Sequence, residues 1–181
     1  MVTFSLVGLV LAWNLKSENS NLAEIRNIMW VSAIVAYLHY LSFILCFGVL
    51  VLEAFTLNTE LSLKEAGKIV IADAIYGISA IVVLITGILR VVYFGKGTDY
   101  YLHNPVFYAK VAAFIVVGCL SIYPTVSFLS WLKSLLQGEA PKLELAKLNR
   151  LIWLIRAELV GFILIPLLAV IMARGIGINF A

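Results

Sequence analysis

The chain has 181 residues, of which 63% are hydrophobic and only 13% charged, and its formal net charge is +3. Soluble domains carry roughly 25% charged residues and about half apolar ones, so this composition excludes a water-soluble globular protein, and the lack of any dense basic run excludes a nucleic-acid partner. Lipid is the natural solvent, and a single membrane domain uses the whole length, since each spanning helix takes about 20 residues plus its loop.

In chain order, the first apolar run, Val2 to Trp13, is too short to span and lacks the basic start of a signal peptide. It reads as an interfacial or partly inserted helix with Trp13 near the headgroups, and residues 1–28 as an N-terminal segment and linker. A misassigned start codon would explain it equally well. Four long apolar segments follow, at about 29–52, 69–94, 105–132 and 151–173. Each has the length of a transmembrane helix, and because hydrocarbon offers no hydrogen bonds to open backbone, helices are the structure they must adopt. The expected fold is all-α: an integral membrane four-helix bundle.

The connections are short. Between the first two spans, Ser62 followed three residues later by Glu65 is a capping-box signal. Between the second and third, glycines and Asn104 mark a turn, and Pro105 suits the first helical position. Between the third and fourth, an amphipathic surface helix is expected after Pro141. Lys64, Lys68, Lys133, Lys142, Lys147 and Arg150 fall on one side, against Lys16, Arg26, Lys96 and Arg174 on the other. The positive-inside rule makes the first side cytoplasmic and places both termini on the non-cytoplasmic side. The setting this implies is a plasma membrane or an internal energy-transducing membrane.

Ionisable residues within the spans cost about 2.5 to 3.5 kcal/mol each at a helix centre, so each needs an account. Glu53, Asp73, Arg156 and Glu158 lie toward one membrane face, and Arg90, Lys110 and Arg174 toward the other. Asp73 and Arg156, each about one turn into its helix from the same face, are expected to form a structural ion pair between the second and fourth spans. Glu158 is roughly 200° around the helix from Arg156 and must look elsewhere, to another helix, to water or to a proton of its own. In the second span Asp73, Gly77, Ala80, Leu84 and Gly87 make one stripe suited to close helix approach. In the first, Ser32, His39, Cys46 and Glu53 recur at heptad spacing and are expected to face the interior. Cys46 and Cys119 lack metal or redox spacing and read as buried thiols.

His39 is the one histidine within a span. A neutral imidazole can ligate the metal of a haem or chlorophyll, or it can be a hydrogen-bonded structural residue. Lys110, about 7.5 Å shallower along the axis, and Arg90 could hold the carboxylates of a macrocycle whose metal meets His39, or they could extend to the headgroups. Tyr37, Tyr40 and Tyr76 are candidates for hydrogen bonds near such a ring.

The segments "YLHYLSFILCFGVLVLE", "DAIYGISAIVVLITGILRVVYFGKG", "YYLHNPVFYAKVAAFIVVGCLSIYPT" and "RAELVGFILIPLLAVIMARGIG" resemble a bacterial family of small predicted membrane proteins of unknown function. A histidine in the first span, a "TG" late in the second and a lysine early in the third are also similar, more distantly, to the HemJ-type membrane protoporphyrinogen oxidases and to CopD-like membrane domains. That second resemblance implies a haem-associated role for His39 and Lys110. The leading expectation is therefore a tetrapyrrole-binding membrane protein with a redox or porphyrin-oxidising role. A proton-coupled transporter or channel lined by Asp73, Arg156 and Glu158 stays open beside it, as does a non-catalytic subunit of a larger membrane complex or homo-oligomer.

Overall fold

The computed structural model describes the backbone of residues 3–176 and the side chains of residues 21–176. Its helices are α1 (Thr3–Thr56), α2 (Leu63–Val92), the short α3 (Thr98–Leu102), α4 (Pro105–Leu136) and α5 (Leu145–Ala173). Four of them, counting α1 from Asn21, are long and apolar enough to cross a membrane. α1 is unbroken across residues 14–28, where a linker was expected. The interfacial role expected for Val2 to Trp13 lies outside the described side chains.

Local signals fix the helix starts. The Glu65 amide donates to the Ser62 hydroxyl at 3.2 Å, and the Ser62 amide donates to the Glu65 carboxylate at 2.9 Å. This is the reciprocal cap that the spacing predicts. At α4 the Val106 amide donates to Asn104 Oδ1 at 2.9 Å, while Pro105, with no amide hydrogen to leave unpaired, takes the first turn. The third connection departs from expectation. No separate surface helix follows Pro141, because the amphipathic run from Leu145 continues without a break into the fourth span as the first turns of α5.

The helices form a ring in the order α1, α2, α4, α5, each touching its two neighbours. α2 and α5 stand on a diagonal, with no pair of their Cα atoms within 8 Å. Their outward faces are apolar: Ile71, Ile78 and Ile85 on α2, and Val160, Ile163 and Leu167 on α5, are all exposed. Helices apolar all round belong in hydrocarbon, so the chain is an integral membrane protein. Where backbones come closest, small residues allow it. A Cβ at Gly161 of α5 would collide with Val117 of α4.

The core is not uniform along the bundle axis. Leu50, Ile69, Phe128, Trp131, Leu148 and Leu151 fill the end that carries loops 57–62 and 137–144, all of them buried. Toward the other end, which carries residues 93–104, filling side chains become sparse and a cleft opens.

The α1 stripe holds as expected, with Cys46 and Glu53 fully buried and Ser32 and His39 half-buried. The α2 stripe is rotated by about one residue, roughly 100°. Ala72, Asp73, Tyr76, Ser79, Val83 and Thr86 face inward, while Gly77 and Leu84 face out. Bulk decides this, since Tyr76 and Val83 fill interior volume that the small residues could not. Cys119, expected to be buried, is exposed, and Cys46 alone is a buried thiol.

Candidate functional site

The cleft near residues 93–104 has a volume of about 520 Å³ and adjoins a second, more apolar hollow of about 400 Å³. His39, Phe43, Gly87, Phe107, Lys110 and Ile165 line both. These are dimensions typical of small-molecule sites, which are mostly apolar with a few converging polar groups. All four long helices contribute, α5 supplying an apolar wall that includes Ile165 and Pro166. α1 supplies His39, α2 Arg90 and α4 Lys110, so all three residues expected to bind a cofactor line one space.

His39 is held in a defined orientation. Its Nδ1 lies 3.0 Å from Thr86 Oγ1 and 3.1 Å from the Val83 carbonyl oxygen. The Thr86 hydroxyl spends its single hydrogen on the Val82 carbonyl, so toward His39 it can only accept, as can the Val83 carbonyl. The ring proton therefore sits on Nδ1 and the Nε2 lone pair is left available. A carbonyl or hydroxyl behind the far nitrogen is how ligating histidines are oriented. Gly87, one residue on, packs against the same ring: a Cβ there would stand 3.4 Å from His39 Cε1. The "TG" pair of the second span thus has a physical reason in the orientation and clearance of His39.

Positive charge surrounds the cleft. The Arg90 guanidinium donates to the Tyr40 hydroxyl at 3.1 Å and lies 4.9 Å from the centre of the Tyr40 ring. That contact uses one edge of the fork and leaves the remaining donors free. Lys110 is half-buried and has no ion-pair partner among the described residues. Lys96 sits at the rim, donating to the Ala173 carbonyl at 3.0 Å and lying 4.7 Å from the Tyr100 ring centre. Among the described residues no aspartate or glutamate lines the cleft. A desolvated cation without a counter-charge favours a ligand that brings the anion.

Sequence reasoning missed the aromatic rim formed by Tyr100, Tyr101 and Phe94. Its signal was the glycine between Phe94 and Lys96. A Cβ at Gly95 would collide with the Arg90 carbonyl and the Tyr101 hydroxyl, so only glycine lets this turn fold back over the cleft. Of the three tyrosines considered, Tyr40 lines the cleft, Tyr37 is exposed, and Tyr76 belongs to the other half of the bundle.

That other half corrects one expectation. Asp73 and Arg156 do not pair: Asp73 Oδ1 accepts from the Thr125 hydroxyl of α4 at 2.9 Å, and Arg156 is exposed on the outer face of α5. The one cationic-type contact to a carboxylate among the described residues is His103 with Asp99, at 3.2 Å on the surface, an ion pair only when the imidazole carries a proton. The reason is architectural. α2 and α5 are diagonal rather than adjacent, and with α2 starting at Leu63 and α5 at Leu145 both residues lie several turns inside their helices rather than one. What does cross the diagonal is Tyr76, whose hydroxyl donates to Glu158 Oε2 at 3.1 Å.

A family model described as predicted membrane protein, DUF2214, matches residues 31–177. No curated protein and no solved structure matches the chain.

Proposed function

We propose that this chain, which belongs to the DUF2214 family of predicted membrane proteins, binds a carboxylate-bearing tetrapyrrole of the haem type in the cleft between α1, α2, α4 and α5. The observation that carries this reading is the double anchoring of His39 Nδ1 by Thr86 and Val83, which leaves Nε2 as a free σ-donor beside an apolar cavity. An imidazole placed only for structure gains nothing from such an exposed lone pair.

The residues present fit such a group. His39 would ligate the metal, Phe43, Phe107 and Ile165 would pack against the macrocycle, and Lys110 and Arg90 would take its carboxylates. Bound there, the group would supply one-electron redox chemistry. The chain's part is to fix the metal axis, exclude water from the ring and neutralise the carboxylates, with a redox or porphyrin-oxidising activity as the role that follows. The basic residues near this end, Lys64, Lys68, Lys133, Lys142, Lys147 and Arg150, support a cytoplasmic 57–62 face by the positive-inside rule, and the cleft would then open toward the far leaflet of a plasma or internal energy-transducing membrane.

The test is the absorption spectrum of the full chain, expressed with ample haem and purified in detergent, beside His39→Ala. A Soret band in the parent that disappears in the variant supports the reading. Two colourless samples, or a band indifferent to His39, overturn it.

A further inference from the structure

Away from the cleft, the bundle encloses three carboxylates with no cation to meet them. Glu158 is 0% exposed, Glu53 1% and Asp73 6%. They come from three helices, α5, α1 and α2: Asp73 lies one turn from Tyr76, the partner of Glu158, on the buried stripe of α2, and Glu53 shares the buried stripe of α1 with Cys46, whose thiol meets the Tyr76 carbonyl. No lysine or arginine forms an ion pair with any of them among the described residues. Arg156, the nearest arginine in sequence to Glu158, is exposed on the outer face of α5.

Their polar partners are few. Tyr76 serves Glu158 Oε2, and Thr125 serves Asp73 Oδ1. Glu158 Oε1 and Glu53 Oε1 are buried and have no hydrogen-bond partner among the described residues. The remaining ionisable group facing this space is the Cys46 thiol, which is turned to the Tyr76 carbonyl at 3.7 Å. α4 contributes neutral hydroxyls, Thr125 at Asp73 and Ser121 beside Tyr76.

Three negative charges so enclosed would repel one another in a medium that solvates none of them, and a buried, unpaired carboxylate avoids this by taking up a proton. A metal ion is a poor alternative, because no three His, Cys, Asp or Glu side chains among the described residues are grouped closely enough to ligate one. A proton needs only a single oxygen, and an orphaned Oε1 provides it. Leaving a neutral carboxyl oxygen unpaired also costs far less than leaving a charged one.

We infer that Glu158, together with Glu53 and Asp73, forms a proton-binding site inside the membrane. Tyr76 orients the Glu158 carboxyl across the diagonal, and Glu53, near the end of α1, is the member closest to the loop 57–62 face. The site is separate from the cleft, and its existence does not depend on any ligand there.

Infrared difference spectra of the full chain in liposomes, without added ligand, test it. At neutral pH the folded protein is expected to show the C=O stretch of a protonated carboxyl, which Glu158→Gln or Glu53→Gln diminishes. Tyr76→Phe, which keeps every carboxyl but removes one hydrogen bond, is expected to shift that band to higher frequency. Folding of each variant is checked by circular dichroism and gel filtration. Absence of the band in folded parent protein, as for carboxylates neutralised by sodium instead, overturns the inference. So does a band unchanged in Glu158→Gln, Glu53→Gln and Asp73→Asn alike. The two sites fail separately: a colourless protein with the band removes only the cleft reading, and a haem-bearing protein without it removes only this one.

Discussion

Tyr76 and Glu158 meet across the long diagonal of the bundle, the phenol of α2 donating to the carboxyl of α5 at 3.1 Å although their backbones nowhere approach. Such a contact ties opposite walls together without needing helix adjacency. Interhelical hydrogen bonds in membranes average only about 0.6 kcal/mol, with a maximum near 1.7 kcal/mol. Tyr76→Phe should therefore lower unfolding free energy in detergent by about 0.6 kcal/mol, whereas Glu158→Ala, which also opens a cavity in the core, should lower it by more. Denaturant titration of both variants checks the order, and equal losses would contradict it.

Asp73 and Arg156 should behave as strangers. Because one is bonded to Thr125 and the other faces outward, a double-mutant cycle with Asp73→Asn and Arg156→Gln should give a coupling energy within about 0.5 kcal/mol of zero, as for sites that share no partner. Arg156→Gln alone should change stability by less than about 0.5 kcal/mol. A large coupling would restore the ion pair.

Gly161 marks a place where mass cannot be added. Its Cβ would strike the stiff, β-branched Val117, so Gly161→Ala should destabilise by about 1 to 3 kcal/mol, and Val117→Ala in the same chain should recover part of the loss. Gly77, around whose Cβ position there is open space, serves as the control: Gly77→Ala should be neutral or slightly stabilising.

Thr86 should matter to the cleft more than to the fold. Thr86→Val keeps the shape but removes the partner 3.0 Å from His39 Nδ1, leaving the Val83 carbonyl alone to orient the ring. Loss of an outer partner of a ligating histidine typically weakens metal affinity about 10- to 100-fold. Haem titration of Thr86→Val should show a drop of that size with little change in thermal unfolding, and Lys110→Met should weaken carboxylate-bearing porphyrins while sparing esterified ones.

What could be read in advance followed the range of the forces involved. The Ser62–Glu65 cap and the Asn104–Pro105 start are contacts between near neighbours in the chain, and they appear as the spacing predicts. The α1 stripe through His39, Cys46 and Glu53 was legible because heptad spacing keeps one face of a helix aligned. The α2 stripe came out one residue rotated because glycine permits close approach without demanding it, and the bulk of Tyr76 and Val83 settled the matter. Ring order is a property of the assembled bundle, so nothing in the chain announced that α2 and α5 are diagonal, and the proposed partner of Asp73 was wrong for that reason. His39, Arg90 and Lys110 were picked out by type and depth, and the structure gathers them around one cavity. The Nδ1 contacts that aim the imidazole depend on side-chain geometry that no spacing encodes.

The unequal filling of the bundle gives it the mechanics of tweezers. Phe128, Trp131, Leu148 and Leu151 clamp one end as a fulcrum, while the arms at the other end are joined mainly by polar contacts, Lys96 to the Ala173 carbonyl and Tyr100 to the Met172 carbonyl. Parting those arms costs a few hydrogen bonds rather than a packed core, so local unfolding should begin at the cleft end and leave the four helices in register at the other.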